Sequence, residues 1–127
     1  MTRRVTMFKG LKLVGLTEEP VGTGEERYGF LMQDGETVVL EYKTVRDMLI
    51  LTNKRLITVD IQGLRGKKAE FFILPYSKIT AFSVESAGTF DLDAEFKIWA
   101  SGLGQIEFAF LKGTDVKKIA SLLSSGV

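Results

Sequence analysis

From Thr37 onward the apolar residues return at every second position, and this period of two most narrows what the chain can fold into. Val38, Leu40 and Tyr42 fall on one face, with Val39, Glu41 and Lys43 on the other. An apolar run from Met48 to Leu51 breaks at Thr52-Asn53-Lys54-Arg55 and resumes as Ile57, Val59 and Ile61. That pattern predicts a tight hairpin with Asn53 at its turn. After a break at residues 62–68 comes a strand from Ala69 to Leu74, ended by Pro75, which has no N–H to give to a ladder. Ile79 to Glu85 is the next strand, with Phe82 and Val84 on one face. Phe96 and Ile98, the turn at residues 101–104, and then Ile106, Phe108 and Phe110 complete seven predicted strands.

The period switches at the end of the chain. Thr114 or Asp115 can cap a helix whose Val116, Ile119, Ala120 and Leu123 recur at helical spacing and form one apolar stripe. Strands closed by one terminal helix predict a mainly β antiparallel sandwich or partly open barrel, with the helix covering an end. Ahead of the strands, Thr23 and Glu26 fit a capping box that opens a short helix through Tyr28, Leu31 and Met32. Residues 1–24, with Pro20, Gly22 and Gly24, read as a lead-in that is flexible or ordered only by oligomer contacts. The folded domain is then 25–127, and a chain of 127 residues supports one core.

Composition removes most chemistry. There is no Cys and no His, hence no disulfide, no thiolate, and neither the commonest zinc ligand nor the commonest general base. The remaining carboxylates, Lys, Tyr and hydroxyls form no recognisable catalytic constellation, so no enzyme activity and no cofactor are expected. With 17 basic and 16 acidic residues the net charge is +1, which offers no global attraction to nucleic acid. Lys9, Gly10 and Lys12 interrupt any signal-peptide core, and the apolar runs are strand-sized, so a cytoplasmic protein is expected.

The strings VRDMLILTNKRLITVDIQGLRGKKAEF, LPYSKITAFSVESAG and FDLDAEFKIW resemble the signature of the bacterial pleckstrin-homology-like family, over roughly residues 25 to 124. The resemblance implies a seven-stranded PH-like barrel capped by the C-terminal helix. It also implies a ring-shaped homo-oligomer, typically pentameric, with a role in protein–protein interaction and no enzymatic activity. The family's polar motif positions fall on Arg46-Asp47, Thr52-Asn53-Lys54-Arg55, Gln62-Gly63, Gly66-Lys67-Lys68, Pro75-Tyr76, Asp91 and Asp93. Of these, Arg46, Asp47, Thr52, Asn53, Lys54 and Arg55 are the expected surface for an unidentified protein partner.

Other sites are weaker. PH domains that bind phosphoinositides carry Lys and Arg near the first strand loop, where this chain has Lys43 and Arg46, but Asp47 competes for the guanidinium. Lys54 and Arg55 with Arg65, Lys67 and Lys68 could form a basic edge. Gly63 and Gly66 lack phosphate-loop spacing. Asp91, Asp93 and Glu95 alternate but lack a full oxygen cage, so no metal is expected. Trp99 falls opposite Phe96, Ile98 and Ala100, on the face of Glu95 and Lys97. The alternative function is peripheral attachment to anionic membrane through the hairpin patch, or through Arg3, Arg4, Lys9 and Lys12 with Phe8 and Leu11.

Charge is unevenly spread. Residues 43–78 hold eight basic and three acidic side chains, whereas residues 85–107 hold five acidic and one basic. If these segments occupy different sides, the basic side of one subunit can meet the acidic side of the next, a head-to-tail contact that can close into a ring. The expected oligomer interface is Arg65, Lys67 and Lys68 against Glu85, Asp91 and Asp93.

Overall fold

The computed structural model describes residues 11–85 and 94–126. In chain order the elements are β1 (Leu11–Glu19), α1 (Glu25–Tyr28), a 3-10 turn (Gly29–Leu31), β2 (Val38–Lys43), β3 (Asp47–Thr52), β4 (Arg55–Gln62) and β5 (Lys68–Pro75). A second 3-10 turn (Tyr76–Lys78), β6 (Ile79–Glu85), β7 (Ala94–Ala100), β8 (Gly104–Phe110) and α2 (Lys117–Gly126) follow. The strands form one sheet in the order β5-β4-β3-β2-β1-β8-β7-β6. Two antiparallel meanders, β2 to β5 and β6 to β8, are thus joined through β1, and the sheet ends at β5 and β6.

The seven strands read from the sequence are all present, and β1 is an eighth. Residues 11–19, grouped above with the lead-in, are part of the folded sheet. Leu11 to Leu16 pair in parallel with β8, and Thr17 to Glu19 pair antiparallel with β2. The register shifts between Val14 and Leu16, around Gly15 at φ 84°. That bulge adds one residue, so Leu13 and Leu16, three apart, both point inward and are both buried. A strict period of two places them on opposite faces, which is why the strand escapes a pattern search.

The core lies between the two meanders. Tyr42, Leu49, Leu51, Leu56, Phe96, Ile98, Ile106, Phe108 and Phe110 fill it. From α2 and its entry, Val116, Ile119 and Leu123 join it, and each buried aliphatic side chain contributes roughly 1.5–3 kcal/mol. Asp115 is the residue that caps this helix, its carboxylate accepting the Lys117 N–H at 2.9 Å.

A smaller second core sits on the other face of β3 to β5, where Tyr28 packs on Ile50, Ile57 and Val59 beneath α1 and the first 3-10 turn. The expected capping box is not made. Thr23 Oγ1 instead donates to the Pro20 carbonyl at 2.6 Å, and Gly24 stands at the N-cap with no side-chain bond. A one-turn helix held by packing does not need the box.

Candidate functional site

The β3–β4 turn is where the sequence concentrates polar residues, and the structure spends most of them internally. Arg55 makes a two-pronged contact to Glu36, Nε to Oε2 at 2.8 Å and Nη2 to Oε1 at 3.0 Å, with the Glu36 side chain fully buried. Thr52 Oγ1 donates to the same carboxylate at 2.7 Å and accepts the Lys54 and Arg55 N–H groups at 3.0 Å. Asn53 Oδ1 accepts the Thr37 N–H at 2.9 Å, Nδ2 donates to the Gly35 carbonyl at 3.0 Å, and Lys54 Nζ reaches the Asp34 carbonyl at 3.3 Å. All four residues latch the chain segment between the first 3-10 turn and β2. Burial pushes the Glu36 carboxyl up, yet the bonds from Arg55, Thr52 and the Gln33 N–H outweigh it and hold it below the usual carboxylate range.

At the far end of the same hairpin lie the loops 44–46 and 63–67. Arg46 Nη2 donates to the Gly63 carbonyl at 2.6 Å, tying the loops together, and Thr44 Oγ1 accepts the Arg46 and Asp47 N–H groups at 3.2 and 2.9 Å. The loop tips Val45 and Leu64 are fully exposed, and Arg65, Lys67 and Lys68 are exposed beside them. Since β4 spans about 25 Å at roughly 3.3 Å per residue, Lys54 and Arg55 stand at the opposite end from Arg65 and Lys67. The basic edge combining them does not form.

Asp47 faces Asp60 across the β3–β4 ladder. Burial, then the Asp60 charge and a hydrogen bond between the two carboxyls, push Asp47 above the usual range, against the pull of Arg46. Gln62 Nε2 donates to Asp60 Oδ2 at 3.0 Å. On the other face of the sheet Glu41 is buried and accepts three donors, the N–H groups of Gly22 and Gly24 at 2.8 and 2.6 Å and the Tyr28 hydroxyl at 2.7 Å. It fixes the turn that leads from β1 into α1. Tyr42 is also buried, its hydroxyl without a hydrogen-bond partner among the described residues. Burial first, then the Glu18 and Asp115 charges, raise its proton affinity.

The described residues of the two charge blocks land on opposite halves of the sheet. Residues 43–78 span β3 to β5 at one edge, and Glu85, Glu95 and Glu107 sit on β6, β7 and β8 at the other. Lys67 and Lys68 flank the start of β5 and Glu85 ends β6. Asp91 and Asp93 lie outside the described residues, as do Arg3, Arg4, Phe8 and Lys9. Trp99 is half-buried on the outward face of β7, across from Ala81 and Gln105. Among the described residues no group of three or more His, Cys, Asp or Glu could hold a metal, and no helix is long and apolar enough to cross a membrane.

A sequence profile described as the bacterial PH domain matches residues 11–127. The chain belongs to the bacterial PH domain family. The match begins where β1 begins, so this strand is part of the bacterial PH domain here. The chain is 45% identical over 103 residues to the uncharacterized protein YjqA of Bacillus subtilis, covering 80% of this chain and 82% of that one. Two solved structures are similar throughout. One is a DUF1696 family protein with a pleckstrin-homology domain from Shewanella loihica, at TM-score 0.77 and 41% identity, covering 89% of this chain and 97% of that one. The other is a pleckstrin homology domain from Shewanella amazonensis, at TM-score 0.66 and 40% identity, covering 87% and 90%. The PH-like fold is generally non-catalytic.

Sequence reasoning missed Glu36 and Glu41, the two buried carboxylates that organise this bacterial PH domain. Glu41 falls on the face that alternation assigns to solvent. The signal was the glycines at 22 and 24, whose bare backbone can approach a carboxylate closely.

Proposed function

We propose that this bacterial PH domain is a non-enzymatic assembly module that associates head to tail into a closed ring and presents polar sheet-edge residues to a protein partner. The observation that carries the reading is the open sheet: β5 and β6 are its outer strands, and they belong to halves of opposite charge. An outer strand carries unpaired N–H and C=O groups along one side, which favours pairing with another chain. Two different edges of one subunit make a heterologous contact, and such contacts close into rings when the rotation permits. Arg65, Lys67 and Lys68 supply the basic side and Glu85 the acidic side. Arg46, Asp47, Asn53 and Lys54 keep exposed or half-exposed surface for a partner, whereas Thr52 and Arg55 support them from within.

Light scattering across a wide concentration range tests the assembly. A single oligomer of constant mass is expected, and a strict monomer throughout would sink the reading. Opposite-charge contacts are screened by salt, so the defect of a Lys67→Glu/Lys68→Glu variant is expected to be greatest at low ionic strength.

A further inference from the structure

Helix α1 carries a guanidinium that the fold does not use. Tyr28 is buried in the second core and its hydroxyl is held by Glu41, which fixes α1 over the outward face of β3 to β5. Arg27 beside it is half-buried, yet its side chain makes no hydrogen bond or ion pair with a described residue. A charged group that gives up water without gaining a partner is an exception in folded proteins.

A second guanidinium meets the first. A Cβ at Gly66 would stand 3.4 Å from Arg27 Nη2 and 3.9 Å from Arg46 Nη2, so both converge on the backbone of the 63–67 loop. Glycine keeps that space open: its φ is 64°, and a side chain there would also press on Ile61 Cγ2 at 3.3 Å. Arg46 donates to the Gly63 carbonyl, a neutral acceptor that leaves both charges uncompensated. The neighbouring carboxylates are committed elsewhere. Asp47 lies within the field of Arg46 but its hydrogen bond is with Asp60, Glu41 is occupied by three donors, and Glu25 Oε1 lies toward Gly22. Asp47, Asp60 and Glu70 stand in register on the inward face of the sheet. An anion is therefore repelled from that side of the hairpin and drawn to the outward side, where Arg27 lies.

We infer that Arg27, Arg46 and the turn at Gly66 form a binding site for a phosphate monoester. Two guanidinium forks match an ion with two negative charges and three terminal oxygens, whereas a carboxylate satisfies only one fork. Arg65 and Lys67, exposed on either side of Gly66, add attraction without fixed geometry. The monoester can be free in solution or the headgroup of phosphatidic acid, since the same two forks read either. The site goes beyond assembly and does not rest on it.

The test titrates the full chain with glycerol 3-phosphate at about pH 7.5, where a monoester is mostly dianionic, and follows NMR shifts. Saturable binding is expected at about 0.1–1 mM, with shifts centred on the Gly66 amide and the Arg27 and Arg46 side chains. Dimethyl phosphate, a monoanionic diester, should bind at least about tenfold more weakly. Arg27→Gln should weaken binding at least about fivefold with an unchanged thermal transition, whereas Arg65→Gln should stay within about twofold of wild type. Co-sedimentation with phosphatidylcholine vesicles, with and without phosphatidic acid, separates the sources. Pelleting that needs both phosphatidic acid and Arg27 assigns the lipid headgroup, and soluble binding without pelleting assigns a free monoester. Absent binding in both arms, or equal binding of the diester, overturns the inference. Equal losses from Arg27→Gln and Arg65→Gln also overturn it, because they mark general attraction to a basic surface.

Discussion

The two ends of the β3–β4 hairpin carry similar side chains and put them to opposite uses. At the turn, Arg55 is drawn inward onto the buried Glu36, and Thr52, Asn53 and Lys54 close the backbone around it. At the open end, Arg65, Lys67 and Lys68 project into solvent with no ion pair to a described residue, and Arg46 alone bridges the loops. The difference teaches that a cluster of polar motif residues marks a functional surface only where nothing within the fold already satisfies it. A part-buried guanidinium with two bonds to a buried carboxylate is a structural member, whereas an exposed lysine costs the fold almost nothing and is free for a partner.

The largest effect expected from breaking this contrast is at the turn. Arg55→Ala leaves Glu36 as a buried charge without its counter-ion, and removal of one member of such a pair costs about 3–5 kcal/mol. Urea unfolding should show it as a lower midpoint at unchanged slope. Next comes Gly24→Ala: a Cβ there would stand 2.5 Å from Met48 Sδ, 2.9 Å from Cε and 3.1 Å from Glu41 Oε2. The methionine end can shift, but the Glu41 carboxylate is pinned by three donors, so about 1–3 kcal/mol of overpacking is expected in the same assay.

A smaller effect separates the two ends by pH. Asp47 holds its proton more tightly in the folded state, so the pair with Asp60 favours folding at low pH and loses that advantage as pH rises through the raised value. Asp60→Asn removes the repulsion, and the variant should be more stable than wild type at pH 7, with the gap closing in acid. Glu36 runs the other way, its contribution present above the unfolded value and lost as pH falls through its depressed one. Melting temperature against pH for wild type and Asp60→Asn checks both signs. The smallest stability effect is at the exposed end, where Lys67→Glu/Lys68→Glu should change unfolding by no more than about 0.5 kcal/mol. Its assembly defect would then be an interface effect rather than a folding one.

Much of the fold was legible because its signals are local. The alternation through β2 to β8, the proline ending β5 and the stripe Val116, Ile119 and Leu123 each state an element within a few residues. Strand β1 was hidden by the bulge at Gly15, where one extra residue reverses which positions face inward. The charge segregation was legible as composition, but its placement on opposite halves depends on the strand order.

The sequence by itself determined seven of the eight strands, the terminal helix, the absence of Cys and His chemistry, and the family. Tertiary structure alone decided which polar residues are spent. Whether Arg55 faces a partner or Glu36, and whether Glu41 meets water or two glycine amides, depends on segments brought together across many residues of chain. Alternation specifies a face but not what covers it, and for a charged group the cover decides between solvation and burial.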